Sequence, residues 1–215
     1  MPRQLLRLLM MGVLLVLPVV LLIRVSVFCH EQYRLSPWWA LFGGALVSVA
    51  LIFLYLGYLR RRFRHYFGNY RNLRRRYAFA ATIVAAYCMP ALFYFSATNA
   101  KHDAVHREFR DLHPILRLGV STIIWVDRGL IVTDANRFPD DYRRMGLRSR
   151  AQSLHYPQSN GYAHAVDIRT IGHSALRNQL LEMYFGLMGF NTLRHVGTAD
   201  HLHVSLRSHD LPGAI

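Results

Sequence analysis

Cysteine is nearly absent from this chain, with two in 215 residues. Both, Cys29 and Cys88, fall in the first hundred positions, so the remainder can have neither a disulfide framework nor a thiolate metal site. Acid is the second shortage. Residues 1–100 hold one, Glu31, against twelve arginines, net +11, whereas residues 101–215 hold fourteen basic residues against eleven acids, net +3. A formal charge of +14 suggests nucleic acid only until it is located. The basicity belongs to the first hundred residues, and no nucleic-acid partner is expected. Internal repeats and low-complexity tracts are also lacking, which excludes a solenoid.

Charge is missing altogether from three long runs, in a chain that is 53% apolar. Leu8 to Ile23 carries none, and Arg24 can snorkel while "VSVF" completes the span. Pro37 to Leu59 and Tyr77 to Ala100 are likewise long enough to cross roughly 30 Å of hydrocarbon as helices. Spans are therefore expected at 8–28, 37–59 and 77–100, making residues 1–100 an all-α, three-helix anchor in membrane lipid. The first run alone has the basic start and apolar stretch of a signal peptide. "RVSVFCHEQYR", however, offers no small-residue cleavage site, and two more spans follow, so retention is expected. Eight arginines lie in "RRRFRHYFGNYRNLRRR" between the second and third spans. Positive residues in short loops stay cytoplasmic, which puts that loop and the start "MPRQLLR" inside. For three spans the two assignments agree. They predict a multi-pass inner-membrane protein with a cytoplasmic N-terminus and everything after Ala100 periplasmic. The arginine loop also suits anionic lipid or RNA, but topology alone accounts for it. The oligomeric state is not fixed by these patterns.

Residues 101–215 suffice for one compact domain. "DAVHREFRDLHPILRLGV" has helical spacing that Pro114 should break or bend, and "STIIWVDRGLIVTDA" reads as two short strands around "DRG". "HAVDIRT" is strand-like, "SALRNQLLEMYFGLMGF" is an amphipathic helix stopped near Gly189, and "DHLHVSLR" is a last strand. Met183, Tyr184, Phe185, Leu187 and Met188 are expected to face the core. This order of elements is that of an α+β domain.

His155, Asp167 and His203 are side chains that suit a metal, since catalytic zinc commonly takes three nitrogen and oxygen ligands and keeps a fourth position open. Strand periodicity places His201 and His203 on one face, and points Asp167 away from Val166 and Ile168. Ten histidines occur after residue 100, so chance neighbours are to be expected, and spacing alone leaves a merely hydrogen-bonded role open.

"SLHY", then "AVDI", then "HLHVSL" resembles the zinc site of the superfamily uniting D-alanyl-D-alanine carboxypeptidases, phage L-alanyl-D-glutamate endopeptidases and the hedgehog signalling domain. Its pattern is Ser-x-His-x-x-Gly-x-Ala-x-Asp, completed by a later His. Ser153, His155, Ala165, Asp167 and His203 match it in order, over roughly residues 110–210. The family places six residues between the first His and the Asp, and this chain has eleven. Either "YPQSNGY" carries an inserted loop, or His164 replaces His155 as ligand. His155 is preferred, because His164 lies three residues before Asp167 and so on the opposite face of an extended strand.

The resemblance implies one Zn²⁺ per chain held by His155, Asp167 and His203, with Asp200 as the general base that takes a proton from the attacking water. It implies an active-site role for His201, toward an oxyanion or a ligand, and places Ser153 and Arg137 at the substrate. "LIVTDANR" is similar to the family strand whose Arg grips a substrate carboxylate, with "DAN" where the family has "SGY". The expected function is a membrane-anchored zinc peptidase of carboxypeptidase or endopeptidase type, acting on the peptidoglycan stem peptide. The alternative is a non-catalytic, zinc-containing binding module of hedgehog type. A third possibility makes the anchor the functional part.

Overall fold

The computed structural model describes residues 2–62, 72–138, 152–197 and 199–214, together with Asp140, Arg143 and Gly146. Helices α1 (Pro2–Tyr33), α2 (Pro37–Arg62) and α3 (Leu73–Phe93) are each long and apolar enough to cross a membrane. Residues 63–71 of the arginine-rich loop lie outside the described residues. α2 starts at Pro37, where a missing N–H costs nothing. Asn72 caps α3 by accepting from the Arg74 and Arg75 backbone N–H groups. α1 and α2 pack closely because Gly44 has no side chain. A Cβ there would collide with the Leu22 carbonyl oxygen and Ser26 Oγ, the small-residue contact that membrane helices use in place of a hydrophobic drive. Ser48 Oγ donates to Pro18 O at 2.9 Å across the same seam.

The third helix stops at Phe93 and not at Ala100. Polar side chains take over there: Ser96 caps a 3₁₀ turn at Ala97–Asn99, and the Asn99 amide donates to the carbonyls of Arg128 and Leu130 at 2.9 and 2.8 Å. α4 (Asp103–Glu108) and a second 3₁₀ turn lead to α5 (Pro114–Val126). Pro114 begins this helix instead of breaking one.

Residues 121–126, expected as a strand, are the end of α5. Their β-branched composition is overridden by packing. Thr122 Oγ1 donates back to Leu118 O at 2.6 Å and contacts the Tyr87 hydroxyl of α3, Arg117 reaches Leu92 O at 3.2 Å, and Gly119 lies under the Phe190 ring. α5 is thereby wedged against the long helices.

Four short strands form one antiparallel sheet in the order β1 (Val132–Asp134), β2 (Ala165–Arg169), β4 (His201–Ser205), β3 (Asn191–His195). One face carries Val166, Ile168, Leu202 and Val204, all at most 1% exposed, into the core. The other carries the polar residues. α6 (Ala175–Met188) is capped by Ser174 and ends at Gly189, whose φ of 99° is the left-handed conformation glycine favours. Its apolar residues divide into two faces. Leu181, Phe185 and Met188 are buried, but Met183 and Leu187, expected in the core, are 55% and 65% exposed in line with Leu176 and Leu180. At the end of α6, Gly189 lies against Arg24 and Val27 of α1, joining the domain to the anchor.

Candidate metal centre

Sheet register builds the site. In antiparallel strands, directly paired residues share a face, and Asp134 pairs with Asp167, which pairs with His203. Three side chains from three strands thus stand in one row, with His201 two residues along on the same face. A bulge between Val132 and Asp134 turns the end of β1 toward this row.

His155 reaches the row from the preceding loop. Ser153 Oγ accepts from the His155 backbone N–H at 3.3 Å, and the Arg137 N–H donates to His155 O at 3.0 Å. The residues after it fold on themselves. Pro157 bridges Ala163, Gln158 N–H donates to Tyr162 O, and Gly161 closes the turn at φ 79°. The loop therefore returns the chain to β2 with His155 beside Asp167.

The three candidate ligand atoms converge. His155 Nε2 is 3.4 Å from Asp167 Oδ1 and 3.3 Å from His203 Nδ1, and His203 Nδ1 is 2.8 Å from Asp167 Oδ1. Four donors at zinc bond lengths of about 2.0–2.1 Å stand about 3.3 Å apart at tetrahedral angles, so the spacing suits a small cation. His155 Nδ1 donates to Ala135 O at 3.2 Å, and its Nε2 faces the Asp167 carboxylate and the His203 imidazole, where a metal would take the place of the ring's second proton. A carbonyl holding the far nitrogen is how metal-bound histidines are oriented. All three residues are at most 9% exposed.

Electrostatics reinforce the cluster. Burial disfavours charge on Asp167, but His155 and the bonds from His155 and His203 hold its carboxyl well below the usual range. Burial alone would lower the His155 pKa, and the charge and hydrogen bond of Asp167, with Asp134, raise it instead. Asp134, which sequence reasoning passed over, is 7% exposed and ion-paired to Arg137. Burial pushes its carboxyl up, while His155 and Arg137 pull it back. Its visible signal was an acid three residues before Arg137 on an apolar strand.

Arg137 NH2 also lies 3.5 Å from Asp167 Oδ2. His201 Nδ1 donates to Ala199 O at 2.6 Å, its Nε2 stands 3.7 Å from Asp167 Oδ2, and its ring stacks on His195. Asp200 lines the same cleft, of about 530 Å³, as Asp134, Arg137, Asp167 and His201. Its carboxylate is clasped by Arg194, at 3.2 Å, and by Thr170, and these bonds hold it below its usual range. Ser153 supports the turn under His155. His164 lies apart from this group, with His30 and His113.

No family model, no curated protein and no solved structure matches this chain. What the site can do rests on its own atoms. Lys101, Arg137 and Arg169 line the cleft beside the buried triad, together with the carboxylates of Asp134, Asp167 and Asp200.

Proposed function

We propose that the chain is a membrane-anchored zinc peptidase that cleaves short peptides of the cell wall, with the peptidoglycan stem peptide as substrate class. The observation that carries this reading is the convergence of His155 Nε2, Asp167 Oδ1 and His203 Nδ1 within 3.4 Å of one another. These residues would hold the ion. Bound zinc supplies Lewis-acid polarisation of a carbonyl and a lowered pKa for water. Around it, Arg137 with Lys101 and Arg169 receives the carboxylates of the peptide. Asp200, oriented by Thr170 and Arg194, would take the proton of the attacking water, and His201, two residues before His203 on the same face of β4, would orient the site from beside Asp167. On this reading the domain belongs to the hedgehog and D-alanyl-D-alanine peptidase superfamily, which the order of Ser153, His155, Ala165, Asp167 and His203 along the chain supports. Ten of the twelve arginines of residues 1–100 lie in the N-terminal start and in the loop between the second and third helices, which supports a cytoplasmic N-terminus and a periplasmic sheet domain.

A second reading has one observation in its favour. Asp200 is already clasped by Arg194 and Thr170, as befits a zinc-holding binding module of hedgehog type. Turnover by the zinc-loaded wild type separates the two, and Asp200→Ala tests the general base. In the full-length protein it should retain zinc and lower kcat by about 10²- to 10⁴-fold, with His201→Ala leaving zinc in place as well. Undiminished turnover in Asp200→Ala removes Asp200 from the mechanism.

A further inference from the structure

A second group of buried histidines lies where the anchor meets the domain. His30 comes from the last turn of α1, His113 from the residue before α5, and His164 from the residue before β2. Each offers one ring nitrogen, and the three nitrogens lie within 4.8 Å of one another. All three residues are at most 2% exposed.

The protons of this cluster do not match its acceptors. Ile115 N–H reaches His113 Nδ1 at 3.3 Å, so the ring proton sits on Nε2, which is buried with no hydrogen-bond partner among the described residues. His30 has the opposite difficulty. Its Nδ1 faces Leu35 O at 3.1 Å and its Nε2 faces Arg207 O at 3.2 Å, two acceptors for the one proton of a neutral ring. Arg207 O already receives His164 Nδ1–H at 3.2 Å. Protonating the rings is a poor remedy: burial and neighbouring imidazoles hold His113 well below the usual histidine range and lower His164 to about 4. A buried lone pair facing a carbonyl oxygen, beside an imidazole with no partner, is met by a water or a cation between them, and three convergent ring nitrogens favour the cation.

We propose that His30, His113 and His164 form a second metal site, all-imidazole, for a late first-row divalent cation such as zinc, with the Arg207 carbonyl beside it. Neutral imidazoles without thiolate suit zinc, copper or nickel and not magnesium or calcium. Ligation through His113 Nε2 moves that ring's proton to Nδ1 and gives up the long contact to Ile115. Ligation through His164 Nδ1, which faces the Arg207 carbonyl together with His30 Nε2, moves that ring's proton to Nε2, where the side-chain amide of Asn160, an exposed loop residue, stands 2.9 Å away. His209 closes the group from outside by donating Nε2–H to His30 O at 2.9 Å. The ion would staple the first span to the loop before α5 and to the strand that carries Asp167, so it is structural and independent of the catalytic reading.

The test is zinc stoichiometry of the full-length protein in detergent, stripped with chelator, reloaded with zinc alone and desalted. About two ions per chain are expected for wild type, about one for His30→Asn, His113→Asn or His155→Ala, and none for His30→Asn combined with His155→Ala. One ion, kept by His30→Asn and His113→Asn and lost by His155→Ala, overturns the second site and leaves the catalytic centre standing. One ion kept by His155→Ala and lost by His30→Asn supports the second site and sinks the catalytic reading. No ion in wild type overturns both. Should the asparagine variants fail to fold, Co²⁺ absorption of His155→Ala decides: a retained d–d band supports the site, and its absence overturns it.

Discussion

At Asp167 and His155 the folded protein moves two pKa values in opposite directions, and the consequences for stability follow with sign. The Asp167 carboxyl is depressed below its ordinary 3.8, so its contribution is complete above that value and is lost as pH falls through the depressed one. His155 is raised above 6.5, so its contribution is complete below 6.5 and is lost as pH rises through the raised value. Without metal, the pair stabilises most between 3.8 and 6.5. A metal takes the place of the His155 proton, so the rise in Tm on adding zinc should be larger at pH 8 than at pH 6. Thermal melts of wild type and His155→Ala at both values check this. A zinc shift independent of pH, or unchanged in His155→Ala, places the ion elsewhere.

At the scale of elements, the contact between α5 and the turn after α6 holds the domain together over the long helices. A Cβ on Gly119 would stand 2.8 Å from Phe190 Cε2. Gly119→Ala should cost about 1–3 kcal/mol by overpacking and lower Tm, with Phe190→Leu in the same chain recovering most of the loss. No loss in the single variant would show that the ring moves freely. Much of the sheet was legible beforehand. Alternation in "AVDI" and "HLHVSL" gave β2 and β4 and the facing of Asp167 and His203, because strand periodicity is a local property. The end of α5 was not legible: "STIIWV" has strand-forming residues, and its helix depends on Leu118, Tyr87 and Phe190, which are distant in sequence or visible only in three dimensions. β3, an edge strand of mixed polarity, gave no pattern at all. Asp134 was missed for a related reason, since the register of β1 on β2, and not anything beside it in the chain, brings it to Asp167. The third span was read too long because Ser96, Thr98 and Asn99 are uncharged yet spend their hydrogen bonds on a loop.

For the whole molecule, the anchor and the domain are one packed body. Gly189 meets Arg24, Tyr87 meets Thr122, and His30 meets His113 and His164. The cleft is therefore held at a fixed place over the three long helices. The charge asymmetry of the first hundred residues was readable from composition, because positive residues in short loops act on topology one by one. The mounting was not, because it joins residues far apart in the chain. The measurement that bears most directly on a zinc peptidase of the cell wall is mass spectrometry of purified peptidoglycan incubated with the zinc-loaded, full-length protein, with His155→Ala in parallel. Stem peptides shortened or opened by the wild type and left intact by His155→Ala are the expected result. A folded wild type that holds zinc at His155 and leaves every stem peptide intact would contradict it.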